Sequence, residues 1–348
     1  MKSYPLLEEQ LNYQFLHLTI QEFLSAKWIV DHLSPSEQGA YFKEKQQDDR
    51  FRLVLVFLAG LSGLKSKDFH NIFTNVVDFT TKKDFRYPDR TLQQKSQSHT
   101  KQNENNYHAE AQRFLLLLLF LHEAKNETLC TTLATAVAHQ IIDLHNARFT
   151  LFHCRALGYF LSRSHCNWKA LHLPVHGLDD RSIQVFHDSC TGTATSSVTE
   201  ITVGQISHHL PISTNDFTQQ GARLLCSMPM IQQCESITCI YTHSTSNGPD
   251  AIPKFLSLPN TKTLCISSKF NQSTCLQTPL YFEKHLQSHL TLQALHLCEC
   301  GVDCKMSKML ANALRENATV KELSLRANQI RGAGAMALFE ALQVNCSL

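Results

Sequence analysis

A stretch near the end of the chain repeats itself at a fixed period, and this limits the possible folds more than any other feature. Leu292-x-x-Leu295-x-Leu297-x-x-Cys300-x-Val302 returns 28 residues later as Val320-x-x-Leu323-x-Leu325-x-x-Asn328-x-Ile330. The register runs on past the motif: Leu310, Ala313, Leu314 and Asn317 return as Leu338, Ala341, Leu342 and Asn345. Leu348, the last residue, stands where a third copy opens. Units this short cannot bury an apolar face alone, so they must stack on one another. Alternating apolar residues such as Leu323 and Leu325 suit a short strand with one buried side. Asn328 or Cys300 then turns inward, where its side chain can satisfy backbone groups exposed at a bend. Gly334–Leu342, rich in Ala, Leu and Met, suits a helix on the other side of the unit.

The pattern resembles the leucine-rich repeat, and a 28-residue unit with a full helix resembles its ribonuclease-inhibitor type. The resemblance implies a curved solenoid with parallel strands on the concave side and helices on the convex side. Looser copies precede the regular pair: Trp168-x-x-Leu171-x-Leu173, Val198-x-x-Ile201-x-Val203-x-x-Ile206, Cys234-x-x-Ile237-x-Cys239 and Thr261-x-x-Leu264-x-Ile266. Their starts at 168, 198, 234, 261 and 292 are 30, 36, 27 and 31 residues apart, with Trp168 opening the array. In this phase Gln293, Ala294, His296, Cys298 and Glu299 face outward, followed by Lys321, Glu322, Ser324, Arg326 and Ala327. Alternate strand residues on a solenoid's concave side can meet a partner. These residues are therefore the expected contact surface for a protein or pathogen-derived ligand.

The first half has helical periodicity instead. Thr19-x-x-Glu22 has the spacing of a capping box before Ile20, Phe23, Leu24 and Trp28. Phe51–Leu61, Arg113–Ala124, Leu129–His145 and Thr150–Leu161 also have helical patterns dense in Leu, Phe or Ala. Between them, Lys82–Asn106 is polar and predicts an exposed loop.

Within the first segment, Phe15-Leu16-His17-Leu18-Thr19-Ile20-Gln21-Glu22-Phe23-Leu24-Ser25-Ala26 resembles the end of the winged-helix segment of NOD-like receptors, the NACHT and leucine-rich-repeat family. Cys154-Arg155-Ala156-Leu157-Gly158-Tyr159-Phe160-Leu161-Ser162 looks like that family's last helix before its repeats. The resemblance implies an ordered series of winged-helix end, helical domain and repeats. It also implies that His17 matches the histidine that reaches the β-phosphate of bound ADP. An imidazole can hydrogen-bond a phosphate. However, the sequence has no G-x-x-x-x-G-K-[ST] and no Walker-B-like acid before Phe15. Without amides to cradle phosphates and a carboxylate for Mg²⁺, the chain is expected neither to bind ATP tightly nor to hydrolyse it. ADP or ATP would enter only through an upstream nucleotide-binding module.

Composition narrows the remaining classes. With 32 Lys+Arg against 30 Asp+Glu the net charge is +2, which argues against a bulk polyanion binder and so against nucleic acid. The basic scatter Lys82, Lys83, Arg86, Arg90, Lys95 and Lys101 is interspersed with acids and glutamines. The longest apolar run, Phe114–Leu121, is far shorter than the roughly 18–20 residues that span a bilayer, and suits a buried helix. Thirteen Cys without paired spacing, and no secretory signal in residues 1–10, suggest a reduced cytoplasmic chain. The sequons at Asn126, Asn271, Asn317 and Asn345 are then chance matches. His296-x-Cys298-x-Cys300-x-x-x-Cys304 offers four zinc-type ligands, but strand alternation sends Cys298 and Cys300 to different surroundings, so no metal ligands are assigned. The 19 His are scattered, and no nucleophile–base set has recognisable spacing.

The expected fold is α + α/β: an all-helical N-terminal domain followed by a curved leucine-rich-repeat solenoid. Residues 1–40 form a winged-helix remnant, 41–164 a helical domain, and 165–348 the repeats, irregular over 165–290 and regular over 291–348. The expected function is non-catalytic: ligand sensing and autoinhibition in a cytosolic NOD-like innate-immune receptor lacking its P-loop. The alternative is a stand-alone interaction scaffold of the ribonuclease-inhibitor type.

Overall fold

The computed structural model describes residues 18–46, 48–65, 69, 100–137, 140–145, 147–174, 176–190, 196–207, 210–212, 214–216, 218–242, 252–269 and 279–348. The chain divides into two compact units, residues 1–72 with 123–125, and residues 73–122 with 126–348.

In the first unit, helices α1 (Leu18–His32), α2 (Pro35–Lys45) and α3 (Arg52–Ser62) enclose a core that includes Ala26, Ile29, Phe42, Leu55 and Leu58. Phe42 meets Phe69 edge to face at 5.7 Å. The capping box expected at Thr19 is absent, because Thr19 already lies inside the first turn of α1. It occurs instead at Ser34, whose hydroxyl accepts from the Glu37 amide while the Glu37 carboxylate accepts from the Ser34 amide, with Pro35 pre-set for the first helical position.

Three further helices follow: α4 (Thr100–Ala124), most of it in the second unit, α5 (Glu127–Ala136) and α6 (Leu151–Arg163). Phe114–Leu121 lies within α4, with Leu115, Leu118 and Leu121 fully buried. Residues 82–99 of the expected polar loop lie outside the described residues, whereas residues 100–106 belong to α4. Lys, Gln and Glu propagate a helix well, so this segment lacks an apolar stripe without lacking helicity. The helix expected over Leu129–His145 ends at Ala136. Ile141–Asp143 forms strand β1 instead, where two consecutive β-branched residues favour the pleated backbone. The segment expected to be wholly helical therefore contains the first strand of the sheet.

The remaining strands are β2 (Asn167–Leu173), β3 (His176–Asp179), β4 (Ser197–Val203), β5 (Gln205–Ser207), β6 (Leu210–Ile212), β7 (Thr214–Asp216), β8 (Ser236–Thr242), β9 (Thr263–Lys269), β10 (Ala294–Cys298) and β11 (Glu322–Ser324). Helices α7 (Asp180–Cys190), α8 (Gln219–Ser227), α9 (Ile252–Phe255), α10 (Pro279–Gln287), α11 (Cys304–Glu316) and α12 (Gly332–Leu342) fall between or after them. Seven strands form one open sheet, in the order β1-β2-β4-β8-β9-β10-β11. Every pairing in it is parallel. The two additional small pairings are β3 with β7, parallel, and the antiparallel hairpin β5–β6, which contains Ile206. The fold is therefore a mixed helix and sheet structure whose large sheet is parallel and not closed.

The repeat phase sets the register of this sheet. Leu171 aligns with Ile201, Ile201 with Ile237, Ile237 with Leu264, Leu264 with Leu295 and Leu295 with Leu323. Each step equals the spacing of the motif starts. Ile142 precedes Leu171 in the same row, so Trp168 does not open the array: β1 does. The first six of these row positions, from Ile142 to Leu295, are at most 2% exposed, as expected for the packed face of a sheet covered by helices.

Backbone groups left over at each unit's ends are satisfied in a repeated way. Single carbonyls of Glu235, Lys262 and Gln293 each accept two amides from the next strand's start, Lys262 and Thr263, Gln293 and Ala294, then Lys321 and Glu322. As expected, Asn328 turns inward: its amide donates to the Leu297 and Leu325 carbonyls at 2.6 and 2.8 Å and its oxygen accepts from the Val302 amide. Cys300 fills the matching position, its thiol 3.4 Å from the Ile266 carbonyl. Glu299 and Ala327, 28 residues apart, both adopt positive φ at the bend, 57° and 55°.

A second ladder follows the helices. Asn317 and Asn345 each donate to carbonyls of the unit before and accept two amides of their own turn. One unit earlier His289 takes this place, its Nδ1 accepting from the Leu292 amide at 3.2 Å. Burial pushes the imidazole below its ordinary value of 6.5 against a hydrogen bond to the Leu258 backbone, and the charge of His285 adds to the lowering. The unfolded chain then takes up the proton first, so this site's contribution to stability is complete above about pH 6.5 and declines as the pH falls. His289→Asn substitutes the amide used at 317 and 345. The variant's melting temperature is expected to rise relative to the wild type between pH 7 and pH 5. An offset that stays constant across that range would show that His289 does not titrate with folding.

Candidate functional site

Opposite the apolar rows, the sheet presents a polar face. One row runs Asp143, His172, Thr202, Thr238, Cys265, His296 and Ser324, one residue from each of the seven strands. Beside it runs Ile141, Ala170, Glu200, Ser236, Thr263, Ala294 and Glu322. Alternation puts these rows on the side away from Leu171 and Leu295.

The contact residues expected from sequence gather at the β10–β11 end of this face. His296 Nε2 lies 3.1 Å from Glu322 Oε1, and Cys298 Sγ lies 3.7 Å from Ser324 Oγ. Ala294, His296, Cys298, Glu299 and Ser324 are half-buried, whereas Gln293, Lys321, Glu322, Arg326 and Ala327 are exposed. The Glu299 amide donates to the Arg326 carbonyl at 3.0 Å, tying the ends of the two strands. The rest of the row is tighter: His172 and Thr202 toward the β1 end and Cys265 on β9 are buried. Exposure on this face is therefore greatest at β10–β11. His17 lies outside the described residues.

At the β1–β4 end the structure assembles a group that sequence reading missed. Asp143 Oδ1 lies 2.9 Å from His145 Nδ1 and also accepts from the His145 amide at 3.1 Å. Asp143 Oδ2 lies 3.8 Å from His172 Nδ1, and His172 Nε2 lies 4.0 Å from Glu200 Oε1. The two imidazoles are 4.8 Å apart at their centroids and tilted by 35°. Burial pushes the Asp143 carboxyl up, but hydrogen bonds and charge from His145 and His172 outweigh it and hold the group well below the ordinary carboxylate range. Asp143-Leu144-His145 becomes a signal only once β1 is seen to end at Asp143, because the turn that follows brings the His145 amide and ring back to the Asp143 carboxylate.

Cys298 and Cys300 do divide, but not by alternation as expected: residues two apart share a strand face, and it is the positive-φ bend at Glu299, just past the end of β10, that turns Cys300 inward. Cys298 lies on the polar side near Ser324, while Cys300 turns inward to Ile266. Among the described residues, His296, Cys298, Cys300 and Cys304 do not gather as a ligand set; Asp143, His145 and His172 do. Burial pushes the thiols of Cys154, Cys190, Cys226 and Cys234 up to about 12, which suits apolar filling and not nucleophilic chemistry. Among the described residues no helix is long and apolar enough to cross a membrane.

No known family model matches the chain, and no curated protein matches it either.

Proposed function

We propose that the seven-stranded array is a leucine-rich-repeat solenoid of the ribonuclease-inhibitor type and that its strand face recognises a protein ligand without catalysis. The observation that carries this reading is the polar row crossing all seven strands in the repeat's own register. Around that row Lys321, Glu322 and Arg326 are exposed, with Glu322 3.1 Å from His296. Mixed charge favours a specific protein surface over a polyanion. On the resemblance of Phe15–Ala26 and Cys154–Ser162 to NOD-like receptors, the chain is the ligand-sensing and autoinhibitory portion of a cytoplasmic receptor, and its ADP or ATP site belongs to a separate nucleotide-binding module.

A photo-crosslinking residue at Arg326 is expected to capture the partner, while the same residue at exposed Lys308 on α11 is not. The double change Lys321→Glu with Arg326→Glu is expected to weaken capture by about tenfold or more and to alter folding stability by only about 0.5 kcal/mol. Capture from Lys308 alone would move the interface to the helices and sink the strand-face reading. Sequencing full-length transcripts separates the receptor from the scaffold. A P-loop encoded upstream supports the receptor, whereas translation starting at Met1 with no such module supports the scaffold.

A further inference from the structure

We propose that Asp143, His145 and His172 form a binding site for a divalent transition-metal ion of the zinc class, at the edge of the sheet. This does not rest on the ligand-recognition reading, which concerns the opposite end of the polar face.

Placement comes first. Asp143 on β1 stands directly opposite His172 on β2 in the parallel register, and His145 follows two residues after Asp143. Asp143 and His172 thus share one side of the sheet, and the turn after β1, in which the His145 amide donates to Asp143 Oδ1 at 3.1 Å, folds His145 back against them. One ligand-type atom from each residue lies within 4.8 Å of the other two. Ligands held at about 2.0–2.1 Å from a tetrahedral ion stand about 3.4 Å apart, so the widest pair must close by about 1.4 Å. Rotation about the side-chain torsions of Asp and His covers that distance, with the strand backbone in place.

The second observation comes from His145 itself. It is only 6% exposed, yet its Nε2 atom is buried with no hydrogen-bond partner among the described residues. An imidazole nitrogen taken out of water without a partner costs about 1–3 kcal/mol. Packing alone does not offset that cost. The Nδ1 atom faces Asp143 Oδ1 at 2.9 Å, and His172 Nδ1 faces Asp143 Oδ2 at 3.8 Å, so an ion shared by the three residues is taken by the Nδ1 atoms, in place of the hydrogen bond to Asp143. Glu200 provides the outer support at His172, 4.0 Å from its Nε2, while the Nδ1 of the same ring faces Asp143.

The donor set selects the class of ion. Two imidazoles and one carboxylate suit zinc and its first-row neighbours, and fall short of the six or more oxygens that calcium takes. Three protein ligands leave a fourth position, and Asp143, with 27% of its side chain exposed, keeps that position within reach of solvent.

The test uses the full chain. Titration with Zn²⁺ by calorimetry is expected to give one site per chain, weakened at least about tenfold in Asp143→Asn and in His145→Gln. Circular dichroism checks that each variant is folded. Should His145→Gln fail to fold, Asp143→Asn and the wild-type spectrum below still decide the matter. Co²⁺ in place of Zn²⁺ is expected to give the visible bands of a nitrogen and oxygen site without the intense near-ultraviolet band of a thiolate ligand. Cys298→Ser and Cys304→Ser are expected to leave the titration unchanged. Three results would overturn the proposal: no binding by the wild type, a thiolate spectrum, or affinity unchanged in the folded Asp143 and His145 variants.

Discussion

Asn317→Ala is expected to lower folding stability by about 4 kcal/mol, more than any other single polar truncation in the repeats. The side chain is 3% exposed and fully engaged. Its Nδ2 donates to the Leu286 carbonyl at 2.8 Å and the His289 carbonyl at 3.4 Å, and its Oδ1 accepts from the Thr319 and Val320 amides at 3.0 and 2.9 Å. Alanine strands both ends of this bridge at once. Each orphaned buried group costs about 1–3 kcal/mol, and the loss is shared by two neighbouring units because the carbonyls belong to the unit before. Asn317→Asp does not rescue it: a carboxylate can accept from the two amides but faces the carbonyls with no donor. Asn345 occupies the equivalent place and is half-buried, so Asn345→Ala is expected to cost less. Urea denaturation of the three variants reads this order directly. A loss below about 1 kcal/mol at Asn317 would mean that water replaces the bridge. The same geometry explains why the sequon at Asn317 cannot carry a glycan in the folded chain, since its amide nitrogen is already spent.

The repeat was legible because its period is enforced by hydrogen bonding and not by hydrophobicity alone. A slip of one residue between Leu295 and Leu323 would turn both apolar rows outward. The spacings between Leu171, Ile201, Ile237, Leu264, Leu295 and Leu323 could therefore be read before the pairing was known, even where the intervals ran to 36 residues. Strand β1 was not legible, for the opposite reason. Ile141–Asp143 is short, and the apolar residues before it continue the helical pattern of Glu127–Ala136. Nothing local signals that this segment pairs with a strand almost thirty residues further on. Missing β1 concealed the Asp143–His145–His172 group as well, because that cluster exists only where β1 meets β2. The placement of Gln293, His296, Cys298, Glu299, Lys321, Glu322, Ser324 and Arg326 around β10 and β11 was legible, since all lie in the two most regular units. The asparagine at 317 and 345 was visible as a coincidence of the 28-residue offset, but its work at the helix ends was not, because a side chain's partners in the preceding unit leave no trace in its own neighbours.

Gly158 poses the same problem in apolar form, and its replacement carries the second large effect. It sits in α6 (Leu151–Arg163), where an isolated glycine costs about 1 kcal/mol relative to alanine. A Cβ placed there would stand 2.5 Å from Ser189 Cβ, 2.9 Å from the Phe186 carbonyl oxygen and 3.2 Å from the Ser189 carbonyl carbon. Two of those three atoms are backbone, so no rotamer change relieves the clash; α7 (Asp180–Cys190) must move as a body. It is poorly placed to do so. Ile183 and Phe186 are buried at 1% and 3% exposure, and the Ser182 amide and hydroxyl are both held by Asp179 at 2.7 and 2.6 Å. Gly158→Ala is therefore expected to destabilise by about 2 kcal/mol despite its better helix propensity, and Gly158→Val, β-branched and larger, by about 3 kcal/mol. Thermal melts of the pair decide between two accounts of this residue. If the alanine variant melts higher than the wild type, the glycine is an ordinary helix weakness and the two helices have room to spare. If it melts lower and valine lower still, the closeness of α6 and α7 is what the missing side chain provides, and the helix joining the first strand pair to the rest of the array is held by contact between backbones.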